Sequence, residues 1–232
     1  DPDFANIEKR TSKVVEKSGM KVAYLPKQNR GDAVNASITL RYGTPANLVG
    51  KSAVAELTAA MIDKGTTTMT RQAIQDKLDE IKARVSVFGG LSSMSFSVET
   101  TNQNLPQVLD LVGDMAHNPA FSKEEFEKLK NERIASMEEQ LSEPQAIAGH
   151  KMESLTSPYP KSDVRYVMTM KEKIDAIKAV TLDDVKKFYG DHYNSNEATV
   201  SIVGDFDKDK ISPQITKHFG NWKTPSRYER IT

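Results

Sequence analysis

From Ala36 to Tyr42 the apolar residues Ala36, Ile38, Leu40 and Tyr42 alternate with Ser37, Thr39 and Arg41, and later Met94, Phe96 and Val98 alternate with serines. A period of two sends every second side chain to the same face, so each stretch predicts a strand with one buried face. Between them, about Lys51 to Asp63 and Thr70 to Ile81 read as two helices, with Leu57, Met61, Ile74, Leu78 and Ile81 as their core residues. Half-buried strands separated by helices favour antiparallel pairing with the helices layered on one face.

The rest of the chain continues the pattern. SGMKVAYLP predicts a strand closed by Pro26, followed by the turn QNRGD. ARVSVFGGLSSMSFSVET offers two short strands around Gly89-Gly90. Leu105, Val108, Leu109, Val112 and Met115 form a helical stripe. Ser122 and Glu125 have capping-box spacing ahead of a helix in which Phe126, Leu129 and Met137 share a face. Pro144 opens another helix, Ser-Pro-Tyr-Pro at 157–160 is a loop, and Thr181-Leu-Asp-Asp184 caps the helix that runs through Phe188 and Tyr189. A last strand and helix follow in NEATVSIVGDFDKDKISPQITKHFGNW, with Gly204 at the sharp exit from a central strand.

Composition narrows the chemistry. At 232 residues the chain buries on the order of 70% of its unfolded surface. Thirty-two basic residues balance 32 acidic ones, so there is no electrostatic case for nucleic acid or an anionic membrane as partner. A count of zero cysteines excludes disulfides and thiolate chemistry. No apolar run approaches the roughly 18 residues of a membrane span, and DPDFANIEKRTSK lacks the apolar core of a signal peptide. Without an initiator methionine the sequence is expected to be a processed product or a domain of a longer protein. His117, His150, His192 and His218 are scattered, with no metal-ligand spacing.

Two segments carry a resemblance. GKSAVAELTAAMIDKGT, Gly50 to Thr66, ends in Met61, Lys64, Gly65 and Thr66 as the metal-binding helix of the pitrilysin/insulinase zinc peptidases does, and YGDHYNSNEATVSIVGDFD is similar to that family's later tyrosine, strand and Val-Gly-Asp run. The family's helix bears His-x-x-Glu-His, two zinc ligands flanking a general base. The resemblance places Glu56, Ala59 and Ala60 at those positions, and Ser136, eight residues before Pro144, at the third ligand, with Glu138 or Glu139 as neighbours within a small register error. An alanine can neither ligate a metal nor take a proton, so no catalytic or metal site is expected in this chain.

What the resemblance implies is an α+β domain, a two-layer α/β arrangement in which a mixed, mainly antiparallel sheet of about six strands is packed with helices. It covers about Lys13 to Trp222, with residues 1–232 as a single domain and about 223–232, in NWKTPSRYERI, as the start of an interdomain connector. It also implies a non-catalytic unit of a bacterial zinc-dependent metalloendopeptidase, from the second half of a multi-domain chain or an inactive subunit of a two-chain enzyme. Such a unit would complete a substrate chamber beside other units of the family and help bind peptide substrates, while zinc sits in a partner domain.

Arg165 and Tyr166, near Tyr159, are candidates for substrate binding; the alternative is that they anchor their own loop. A structural or assembly subunit with no associated proteolysis is a second function. An independent hydrolase built on Ser52 or Ser136 is a third, for which no His and Asp partner or nucleophile elbow is visible. The family resemblance suggests a periplasmic location, with cytoplasmic as the alternative. Trp222, the only tryptophan, is expected to pack the terminal helix on the sheet or mark a domain contact.

Overall fold

The structure is a computed structural model and describes residues 3–232. In chain order the elements are α1 (Phe4–Arg10), β1 (Ser12–Val15), β2 (Lys21–Pro26), β3 (Ala33–Arg41), α2 (Pro45–Leu48), α3 (Ser52–Met61), α4 (Arg71–Glu80), β4 (Arg84–Gly89) and β5 (Ser93–Thr101). There follow α5 (Leu105–His117), α6 (Lys123–Gln140), α7 (Pro144–Thr156), α8 (Met170–Ala179), α9 (Leu182–His192), β6 (Thr199–Gly204) and α10 (Lys208–Phe219). The six strands make one sheet in the order β1-β2-β6-β3-β5-β4. Only β2 and β6 pair in parallel, so the sheet is mixed and mainly antiparallel, as expected.

The alternation read in the sequence becomes the two faces of this sheet. Ile38 lies opposite Phe96 and Leu40 opposite Met94 in the β3–β5 register, and all four are buried. On the other face Ser37 meets Ser97, and the Thr39 and Ser95 hydroxyls are 2.9 Å apart. Helices therefore cover one side, against which Leu57, Met61, Ile74, Leu78 and Ile81 are buried as expected. Burial of each such side chain is worth roughly 1.5–3 kcal/mol. Gly204 ends β6 at φ +140, and a Cβ there would come within 2.2 Å of the Ala33 carbonyl oxygen, so only glycine fits this exit.

Four local expectations change. The Ser122 side chain makes no capping hydrogen bond at α6, whereas Thr181 and Asp184 form a complete capping box at α9. Gly89 is not in the turn but is the last residue of β4, paired with Met94. Trp222 lies beside the ends of α5 and α9, its ring 4.3 Å from that of His117 and 6.2 Å from that of Tyr189. Finally, α1, β1, α2 and α8 have no counterpart in the periodicity.

Candidate functional site

Helix α3 is buried almost all round. Ala53, Val54, Ala55, Leu57, Thr58, Ala59 and Met61 are out of solvent, and the helix touches β4, α6, α8 and α9. Such a helix has to be apolar on nearly every side. Its four alanines are also good helix formers.

Its charged residue is Glu56. The carboxylate faces α6, where Arg133 Nε lies 3.3 Å from Oε1, with both side chains more than a third exposed. A pair this open contributes no more than about 1 kcal/mol. Ala59 is 2% exposed, and its methyl occupies space that a side chain on Gly89 would need: a Cβ built on Gly89 would lie 1.9 Å from the Cβ of Ala59. Helix and edge strand thus meet through their two smallest residues. Ala60 is partly buried. Ser136 lies exposed on α6, one turn beyond Arg133. Of its acidic neighbours, Glu138 pairs with Lys178 of α8 at 3.1 Å, and the Glu139 carbonyl accepts from the Ser142 hydroxyl.

The structure brings α3 against α6 at Glu56 and Arg133, and against β4 at Ala59 and Gly89. At the positions named in the sequence stand a glutamate matched to an arginine, two alanine methyl groups and an exposed serine. These residues do not fit a zinc ion: one carboxylate already has its counter-charge, and no imidazole is within the constellation. Among the described residues no group of three or more His, Cys, Asp or Glu could hold a metal ion. Each histidine ring has a partner elsewhere: His117 with the His218 carbonyl, His150 with the Met168 carbonyl, His192 with Ser226 and His218 with Asp110. Ser52 and Ser136 make no hydrogen bond to a histidine or aspartate among the described residues.

Arg165 and Tyr166 sit in the loop after α7. Asp163 accepts from Arg165 Nε at 2.9 Å and from Nη2 at 2.8 Å, Nη1 donates to the Thr232 carbonyl at 2.7 Å, and the guanidinium carbon lies 3.9 Å from the centre of the Tyr159 ring. Those hydrogen bonds hold the Asp163 carboxyl down at about 2. The Tyr166 hydroxyl donates to Glu172 at 2.9 Å. Lys161 also donates to Glu172, the main reason its carboxyl is lowered to about 2. Lys161, Tyr166 and Glu172 line a shallow cavity of about 230 Å³ that reaches Gly50 and Ser52 at the start of α3.

The C-terminal stretch lies along the body. The Trp222 carbonyl accepts from the Ser195 backbone, Thr224 accepts from Asn194, and Glu229 donates to the Gly43 carbonyl. His192 Nδ1 is 3.1 Å from the Ser226 hydroxyl, and its ring lies tilted against those of Phe188 and Tyr42, at 4.5 and 6.0 Å. Burial pushes the His192 pKa down, with Lys51 and Lys187 adding to the effect and Asp191 opposing it.

Arg133 and Gly89 are the site residues that sequence reasoning missed. The first is one of many charges on α6, and nothing in its spacing marks its partner. A glycine inside a strand does signal close approach of something else, but Gly89-Gly90 reads more simply as a turn.

Residues 22–158 match the family described as "Insulinase (Peptidase family M16)", and residues 179–232 match "Peptidase M16 inactive domain". The chain is 24% identical over 223 residues to the zinc protease PqqE of Helicobacter pylori, covering 90% of this chain and 47% of that protein. The crystal structure of a peptidase M16 inactive domain from Pseudomonas fluorescens superposes with a TM-score of 0.79 at 17% identity, over 96% of this chain and 54% of that one. The first half of the periplasmic protease PqqL from Escherichia coli gives a TM-score of 0.74 at 18% identity, covering 97% and 48%. The chain thus spans about half the length of the curated relatives it matches.

Proposed function

Because the chain belongs to the insulinase family, peptidase family M16, we propose that it is a non-catalytic unit of a zinc-dependent metalloendopeptidase. It completes the substrate chamber and helps hold extended peptides while hydrolysis takes place on zinc in another unit, in the same chain or a partner subunit. What supports this reading is that the residues the resemblance aligns with the family's ligands have other work here: Glu56 pairs with Arg133, Ala59 is buried against β4, Ala60 is partly buried and Ser136 is exposed. Enclosing and orienting a peptide aids a reaction without touching the reacting atoms, because a positioned substrate has already lost much of its translational freedom. The 223–232 stretch is proposed as the start of the connector to a following unit. Periplasmic residence is part of the same proposal, supported by the location stated for the similar PqqL.

For Arg165 and Tyr166 the contacts favour anchoring the 157–166 loop over direct contact with peptide, since all three guanidinium nitrogens of Arg165 already have acceptors. Arg165→Ala is expected to lower the urea midpoint and leave peptide affinity of the full-length protein unchanged; the opposite pair of results assigns it to substrate.

The functional reading is tested on the full-length gene product. Changing the glutamate of a His-x-x-Glu-His motif outside these 232 residues to glutamine is expected to abolish peptide hydrolysis with zinc retained. A gene product with no such motif, and no accompanying subunit that bears one, would instead favour the second reading, a structural or assembly subunit without proteolysis.

A further inference from the structure

Helix α7 is thirteen residues long and buries none of its side chains. Ile147, Met152 and Leu155 are 51%, 64% and 65% exposed, and Leu141, in the turn that joins α6 to α7, is 46% exposed. On a helix, positions 148, 152 and 155 are neighbours, as are 147, 151 and 155. Ile147, Ala148, Met152 and Leu155 therefore form one outward stripe, interrupted only by Lys151. The opposite side faces the body through partly buried Ala146, His150 and Ser154, tied by the hydrogen-bonding contact of His150 Nε2 with the Met168 carbonyl at 2.7 Å.

A helix of this length is marginal in water without an apolar face packed on something. Among the described residues nothing covers its stripe, and a contiguous apolar stripe of this kind marks an interaction site. We propose that the outward face of α7 is the seat of a second unit of this same fold. The inference rests on the reading above, that the chain works beside another such unit.

Two observations select that occupant. The matched relatives are about twice as long as this chain, which covers 47% of PqqE and 48% of the first half of PqqL, so those proteins have the length for a further unit of equal size. The stripe itself is nearly uncharged, and the helix backbone beneath it is already hydrogen-bonded. An extended peptide gains most from an unpaired strand edge, such as that of β4 or β1, where its backbone finds partners. A folded apolar surface gains from a stripe like this one.

The test is hydrogen exchange on the full-length gene product, comparing wild type with the double variant Met152→Glu, Leu155→Glu. Amides of 144–156 are expected to exchange slowly in the wild type and about tenfold or more faster in the variant, with the sheet strands unchanged in both. Fast exchange of α7 in a wild-type protein that does contain a second unit overturns this inference alone. Protection that arises only on adding peptide points to substrate and overturns it. A gene product with no second unit of this fold, and no such subunit accompanying it, removes the functional reading and this inference together.

Discussion

Ala59 lies in contact with Gly89, and that contact decides what the position can do. A carboxylate there would enter a seam that is 2% open to solvent and closed by the edge strand. Ala59→Glu is expected to cost about 3 kcal/mol, from overpacking and a buried charge with no partner, read as a lower urea midpoint. Glu56→Ala, which breaks only an exposed ion pair, is expected to cost less than about 1 kcal/mol. His192 gives the residue scale a pH dependence. Its folded pKa is depressed below 6.5, so the unfolded chain binds the proton first as pH falls. Its contribution to stability is present above about pH 6.5 and is lost below it, down to the folded value. The midpoint is expected to fall between pH 7.5 and 5.5, and less steeply in His192→Phe. The alanines at 59 and 60 were legible in the sequence because a separate motif sets their register. Arg133 and Gly89 were not, because a tertiary partner leaves no trace in local spacing.

At the scale of elements, side-chain geometry at the helix starts separates two similar motifs. Thr181 accepts from the Asp184 backbone while the Asp184 carboxylate accepts from the Thr181 backbone at 2.9 Å and its hydroxyl at 2.6 Å. At Ser122 no such bond forms. Thr181→Ala is expected to cost about 1 kcal/mol and Ser122→Ala close to nothing, both measured by urea unfolding. The strands β3 and β5 could be read from their pattern because one face of the sheet is solvated, which imposes strict alternation. The edge strand β1 has four residues, none of them buried, too few to show a period. Helix α8 buries only Ile174 and Ile177, a stripe too thin to stand out from its lysines.

For the whole molecule, the sheet order and its one parallel pair set the frame in which α3 meets β4 by close packing and α6 by an ion pair. The fold was legible because it depends on patterns spread over the chain. The closing of the seam was not, since it depends on two small residues that are about thirty positions apart and meet only in the folded state. The central claim is that this unit has no zinc site of its own, and the most direct measurement is metal analysis of the purified 232-residue chain after rinsing with chelator and re-exposure to zinc. The account predicts no stoichiometric zinc and no peptide hydrolysis; one tightly held zinc per chain would contradict it.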